Sequence, residues 1–134
     1  FRRSDIVFTS GGTEANNLAV KGIAVAAHLR ETPGPRPAHV VTTPIEHESI
    51  LESAAYLTRV HGFTVTHAPV DETGTLTSDA AAAALRDDTA LLSFGYANNE
   101  VGTVQDACTA LETRQPAYAS FHGLIKRVLF CCRS

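Results

Sequence analysis

The sequence predicts a three-layer αβα fold around a mostly parallel sheet, on three observations. Short β-branched and aromatic runs alternate with apolar residues spaced as on a helix. Four such runs are separated by three helical stretches, the arrangement of right-handed βαβ crossovers with helices on both faces of a sheet. Glycine or proline marks most of the changes of period, as residues that interrupt both regular structures do.

The elements follow in order. Ile6 to Thr9 is short, β-branched and aromatic, which predicts a buried first strand. Gly11 and Gly12 turn the chain, and Ala15, Leu18, Ala19, Ile23, Ala26 and Ala27 then recur at helical spacing. The prolines of "ETPGPRP" at 31–37 predict a loop, and "HVVTT" at 39–43 a second strand stopped by Pro44. Ile50, Leu51, Ala54, Leu57 and Val60 form a second helical stripe, closed by Gly62 where a C-terminal cap belongs. "FTVTHAPV" at 63–70 reads as a third strand and "DETGT" as a turn. Ser78 is placed to cap a short helix through the alanines to Arg86, and "ALLSFGY" at 90–96 is the fourth strand.

Composition narrows the function. The 134 residues suffice for one globular domain, and no apolar run approaches the roughly 20 residues that a membrane-spanning helix needs. A net charge of −3 gives no basic footprint for nucleic acid. The chain starts "FRRSDIVF" without a Met and enters a strand-like run at once, which predicts a piece of a longer protein. Charge is unevenly spread: residues 1–106 hold thirteen acids against seven Lys and Arg, residues 107–134 one acid against four. Cys108, Cys131 and Cys132 all lie beyond Asp106, with no CxxC or Cys/His spacing, so neither a disulfide framework nor a metal site is expected.

In parallel sheets ligands gather at the carboxyl ends of strands, where turns into helices present free N–H groups. "FTSGGTEANNL" at 8–18 lies at one such end. Gly11 and Gly12 suit close approach and special backbone angles, and Thr13 adds a hydroxyl, so the stretch reads either as a cup for a phosphate or as an ordinary tight turn. It is neither GxGxxG nor GxxxxGK[ST], and Glu14 stands close to where an anion would sit. "PIEHESI" puts His47 at a second strand end, as a surface or packing residue or as a functional one. "YANNEVG" puts Asn98, Asn99 and Glu100 at another, where a plain turn and a binding loop are both compatible with the pattern. Three polar clusters at three strand ends predict a shared crevice.

These residues carry a resemblance. "FTSGGTEANNLAVKG", "IEHESIL", "GFTVTHAPVDETG" and "LRDDTALLSFGYANNEVGTVQD" are similar, in order and separation, to the cysteine desulfurases and the related selenocysteine lyases, class V aminotransferases that use pyridoxal phosphate. The resemblance covers about residues 1–106 and implies part of the large domain of a fold-type I pyridoxal-phosphate enzyme. It implies that Thr13, with the backbone around Gly12, holds the cofactor phosphate. It further implies that His47 stacks on the pyridine ring and assists proton transfer, and that Asn99 hydrogen-bonds the phenolic oxygen. The activity implied is conversion of L-cysteine to L-alanine with the sulfur passed to an enzyme cysteine, or release of selenium from selenocysteine. A homodimer, a sulfur-acceptor protein and a place in iron–sulfur cluster assembly come with it, as does an intracellular location in cytoplasm, mitochondrion or plastid.

The family also needs a lysine to carry the cofactor, an aspartate at the ring nitrogen, a glutamine near the phenolic oxygen and a reactive cysteine. Neither Lys21 nor Lys126 falls in the lysine motif, and the tail from 107 lacks the family's Asp-Ala-x-Gln and Ser-x-His-Lys runs. Residues 107–134 are therefore expected to be a divergent tail from an altered reading frame or splice, and the chain alone is expected to be inactive. A noncatalytic remnant that pairs through its exposed sheet is the alternative from a different functional class.

Overall fold

The computed structural model describes residues 7–30, 36 and 38–106. They form α1 (Gly12–His28), β1 (His39–Thr42), α2 (Glu48–His61), β2 (Thr64–His67), α3 (Ser78–Ala84) and β3 (Thr89–Leu92). The strands pair in the order β2-β1-β3, all parallel. β1 and β2 match His39 to Thr64 through Thr42 to His67, while a register irregularity between His39 and Val40 sets Val40 opposite Leu91 on β3.

Side-chain alternation along the strands divides the core in two. Val40 and Leu91 face one way, packing with Val20, Ala24 and Ala27 of α1, Ile50 and Leu57 of α2, and Phe63. Val41 and Leu92 face the other way, with Ala81 and Ala84 of α3, Ala68, Leu76 and Phe94. Helices thus cover both faces, and β1, the central strand, is buried at all four residues, as a doubly covered parallel strand must be. The expected three-layer αβα architecture is present.

Local chemistry explains the ends of the elements. Gly62 takes the left-handed conformation (φ 71°) after α2 and donates its N–H to the Leu57 carbonyl, the role its position predicts. α3 is capped by Thr77 rather than Ser78, the Thr77 hydroxyl accepting from the Ala80 N–H at 3.2 Å, and it stops at Ala84, short of Arg86. Within the sheet, the buried His39 ring bridges both neighbouring strands, with Nδ1 2.8 Å from Thr89 Oγ1 and Nε2 2.9 Å from Thr66 Oγ1.

Two expectations are corrected. Of the first strand, Ile6 lies outside the described residues, and residues 7–9 form no strand; Val7 and Phe8 are exposed, Phe8 at 94%. A strand exists only by pairing its backbone groups, and these residues pair with neither edge of the three-stranded sheet. On α1 the buried stripe is Asn16, Val20, Ala24 and Ala27, while Leu18 stands 52% exposed. Alanines lie all round this helix, so apolar spacing alone did not fix which face turns inward. The expected change of character after Asp106 falls on residues outside those described.

Candidate active site at the strand ends

The first turn runs from Thr9 into α1. Gly11 is the N-cap, in an extended conformation, and among the described residues no side chain caps the first turn of the helix. Neither Gly11 nor Gly12 takes the left-handed conformation, and a Cβ built on either would meet nothing within 4 Å among the described residues. The glycines thus meet no backbone demand among the described residues, contrary to the special angles expected; they leave open space beside uncapped N–H groups. Thr13 is exposed at this mouth. Glu14 folds back to accept from the N–H and the hydroxyl of Ser10, both at 2.7 Å. These bonds, the backbone one first, hold its carboxyl below the usual carboxylate range, so an ionised group shares the turn.

The second turn leads from β1 into α2, and His47 is the N-cap of that helix. Its Nδ1 accepts from the Ser49 N–H at 3.1 Å and lies 2.8 Å from Ser49 Oγ, while the residue as a whole is exposed. Beside it, Glu46 turns inward: its Oε1 accepts from the Gly95 N–H at 2.5 Å and from the Thr43 hydroxyl at 3.2 Å. Burial raises the Glu46 pKa; the Gly95 and Thr43 bonds and the nearby His47 pull against it.

The third turn follows β3. Asn98 organises it, its Oδ1 accepting from the N–H groups of Glu100 and Val101 and its Nδ2 donating to the Ile45 carbonyl at 2.6 Å. The buried Gln105 amide fixes the far side of this loop, accepting from Leu76 N–H and donating to the Gly74 carbonyl. A side chain at Gly74 would be strained by its left-handed backbone (φ 79°), and its Cβ would sit tight against Thr103 Oγ1 at 3.0 Å. Asn99 is exposed at the tip.

Hydrogen bonds tie the three turns to one another. Asn16 on α1 donates to Ser49 on α2 at 2.8 Å, joining the first turn to the second. Glu46 to Gly95, and Ile45 to Asn98, join the second to the third. The elements bearing Gly12, Thr13, His47 and Asn99 are therefore linked as neighbours, and the four residues themselves are exposed. Lys21 is elsewhere on α1, donating to Asn17 Oδ1 at 2.6 Å and sitting 4.4 Å above the Tyr56 ring. Among the described residues no three His, Cys, Asp or Glu side chains gather as metal ligands, and no helix is long and apolar enough to cross a membrane.

Glu46, Ser49 and Asn16 were not singled out from sequence. Glu46 and Ser49 lie inside "IEHESI", overshadowed by His47, and Asn16 was legible only as a polar residue on the stripe of Val20 and Ala24, a phase the alanines obscured.

Comparison with known proteins places this arrangement. The sequence model of the Aminotransferase class-V family matches residues 2–120, running past Asp106. Cysteine desulfurase IscS of Dictyoglomus turgidum is 43% identical over 104 residues, 78% of this chain and 25% of that protein. DndA of Streptomyces lividans superposes with a TM-score of 0.73 at 27% identity, over 94% of this chain and 32% of its own. The structure described as SspA in complex with cysteine does so at 0.66 and 38% identity, over 77% and 28%. The chain spans about a quarter of the length of the curated relatives it matches. With the fold, the sequence and the family description in agreement over most of its residues, this chain belongs to the aminotransferase class-V family and is similar, within it, to the cysteine desulfurases.

Proposed function

We propose that the chain is part of the cofactor-binding large domain of a pyridoxal-phosphate-dependent cysteine desulfurase. The observation that carries this reading is the bonding of three turns, the one before α1 and those after β1 and β3, into one group, with Thr13, His47 and Asn99 exposed on them. The residues present fit the cofactor. Uncapped N–H groups beside the open space at Gly11 and Gly12, with the Thr13 hydroxyl, suit its phosphate. The His47 ring suits its pyridine face and the Asn99 amide its phenolic oxygen. Glu14, ionised but committed to Ser10, leaves the helix N–H groups unoccupied.

When bound, pyridoxal phosphate supplies an electron sink for chemistry at the substrate's α-carbon. This chain's own residues bind and orient it, and His47 moves a proton through the ring nitrogen not engaged by Ser49. Cysteine is the substrate, and selenocysteine is less favoured because the relatives cited above are desulfurases or bind cysteine. A homodimer, a sulfur-acceptor protein and an intracellular role in iron–sulfur cluster assembly belong to the same reading. Lys21 is bound to Asn17, so the lysine that carries the cofactor comes from outside the described residues.

The test is cofactor retention by the full-length protein that contains this chain. Its visible absorbance after gel filtration should report bound pyridoxal phosphate, and borohydride followed by peptide mapping should mark a lysine other than Lys21. Failure to retain pyridoxal phosphate while binding ATP or NAD would replace this reading with a generic nucleotide-binding domain. Retention without any lysine modified would favour the noncatalytic remnant.

A further inference from the structure

The Ser49 hydroxyl stands between two side chains from different elements, Asn16 Nδ2 at 2.8 Å and His47 Nδ1 at 2.8 Å. Ser49 and Asn16 are both buried, at 8% and 4% exposure, inside the junction of α1 and α2. The directions of these bonds follow from which groups own protons. The Ser49 backbone N–H can only donate, and it points at His47 Nδ1 at 3.1 Å, so Nδ1 presents its lone pair. The Asn16 NH2 can only donate, so the Ser49 oxygen accepts from it and has its own proton free for Nδ1. A second donor thus converges on the same nitrogen. In a neutral ring the proton must then lie on Nε2, the nitrogen for which the chain provides no hydrogen bond among the described residues.

We propose that Ser49, held by Asn16, is a positioning residue that fixes the tautomer and orientation of His47, so that the ring meets its ligand with Nε2–H as a donor. This rests on the reading of His47 as a site residue, and it adds how that residue is set. The neighbouring charges on the same turn, Glu46 and Glu48, make no hydrogen bond to the ring; Glu46 is turned toward Gly95 and Thr43. The backbone N–H favours the lone pair at Nδ1, and the hydroxyl, itself pinned from α1, adds the second donor that fixes it and couples the ring to the helix that opens at Gly12.

Long-range proton–nitrogen correlation spectra of the full-length protein, labelled with 15N-histidine and recorded at alkaline pH where the ring is neutral, read the tautomer directly. The wild type should show His47 with an unprotonated Nδ1 and a protonated Nε2. Ser49→Ala and Asn16→Ala should each raise the Nδ1-protonated fraction severalfold or average the two nitrogen shifts, and Ser49→Thr should restore the wild-type pattern. A wild-type spectrum with the proton on Nδ1 overturns the proposal without any variant. So does a Ser49→Ala protein that keeps its amide dispersion and an unchanged His47 tautomer. Whether His47 serves the cofactor is judged separately, by pyridoxal phosphate retention in His47→Ala, so either statement can fail alone.

Discussion

At the scale of single residues, the side chains proposed to meet the cofactor and those that hold their turns together differ in how well they show in sequence. Thr13, His47 and Asn99 sit in motifs whose spacing is distinctive, whereas Glu46 and Asn16 act through partners 49 and 33 residues away, which no local pattern displays. In the proposed site Thr13→Ala removes one charge-assisted hydrogen bond to the phosphate, worth about 1.5–3 kcal/mol, and should weaken pyridoxal phosphate retention about tenfold to a hundredfold, measured by equilibrium dialysis. Turnover at saturating cofactor should change far less. His47→Ala should lower turnover even with cofactor in excess, and unchanged turnover would make it a packing residue.

Two ionisable groups, the half-buried Glu46 and the buried His39, predict opposing pH effects. Glu46 has its pKa raised above 4.5 by burial, so its contribution to stability is present below that value and lost as pH rises through the folded-state pKa. His39 has its pKa lowered from 6.5, chiefly by burial and then by Arg86, so its contribution is present above 6.5 and lost as pH falls toward the folded-state value. The two trends oppose each other between those limits and are best separated by variants. Urea midpoints of Glu46→Gln should lose the decline on the alkaline side while keeping an acceptor for Gly95, and His39→Gln should lose the decline on the acid side. Thr42 offers a simpler case, a buried hydroxyl with no hydrogen-bond partner among the described residues. Thr42→Val should raise stability by about 1 kcal/mol, seen as a higher thermal midpoint.

At the scale of elements, the sequence shows identity better than phase and extent. Strand and helix alternate as expected from Val40 to Leu92 because the apolar period changes cleanly there, and Gly62 marks the end of α2 through its left-handed backbone. α1 is the contrary case, since an alanine-rich helix can bury several faces; the face it does bury carries Val20, Ala24 and Ala27 into the core and Asn16 to its bond with Ser49 on α2. Residues 7–9 show that β propensity without a pairing partner makes no strand. A pair of alanine substitutions tests the reading of the glycines. Gly62→Ala meets no atom but must hold φ 71°, and should cost about 1–2 kcal/mol. Gly22→Ala, exposed in the middle of α1 with open space around it, should instead stabilise by about 0.5–1 kcal/mol. Denaturant unfolding of the two variants should show opposite signs.

At the scale of the whole molecule, the described sheet has β2 and β3 as its edges, and Val7, Phe8, Val101 and Val104 stand more than half exposed. Unpaired edges and open apolar surface favour association, so the isolated chain should sediment as oligomers and bind a hydrophobic dye. A compact monomer without dye binding would contradict that. The fold class was readable because periodicity is a property of the whole chain, and the meeting of the turns after β1 and β3 was foreseeable because parallel strands present their carboxyl ends on one side. The bonds that join those turns were not, since they depend on three-dimensional neighbours. The central claim is that these turns serve a pyridoxal-phosphate-dependent desulfurase. It is tested most directly by measuring alanine formed from L-cysteine by the full-length protein. The account predicts alanine only when pyridoxal phosphate is present, falling sharply in His47→Ala at saturating cofactor. Absence of alanine from the loaded protein, or equal formation by His47→Ala, would contradict it.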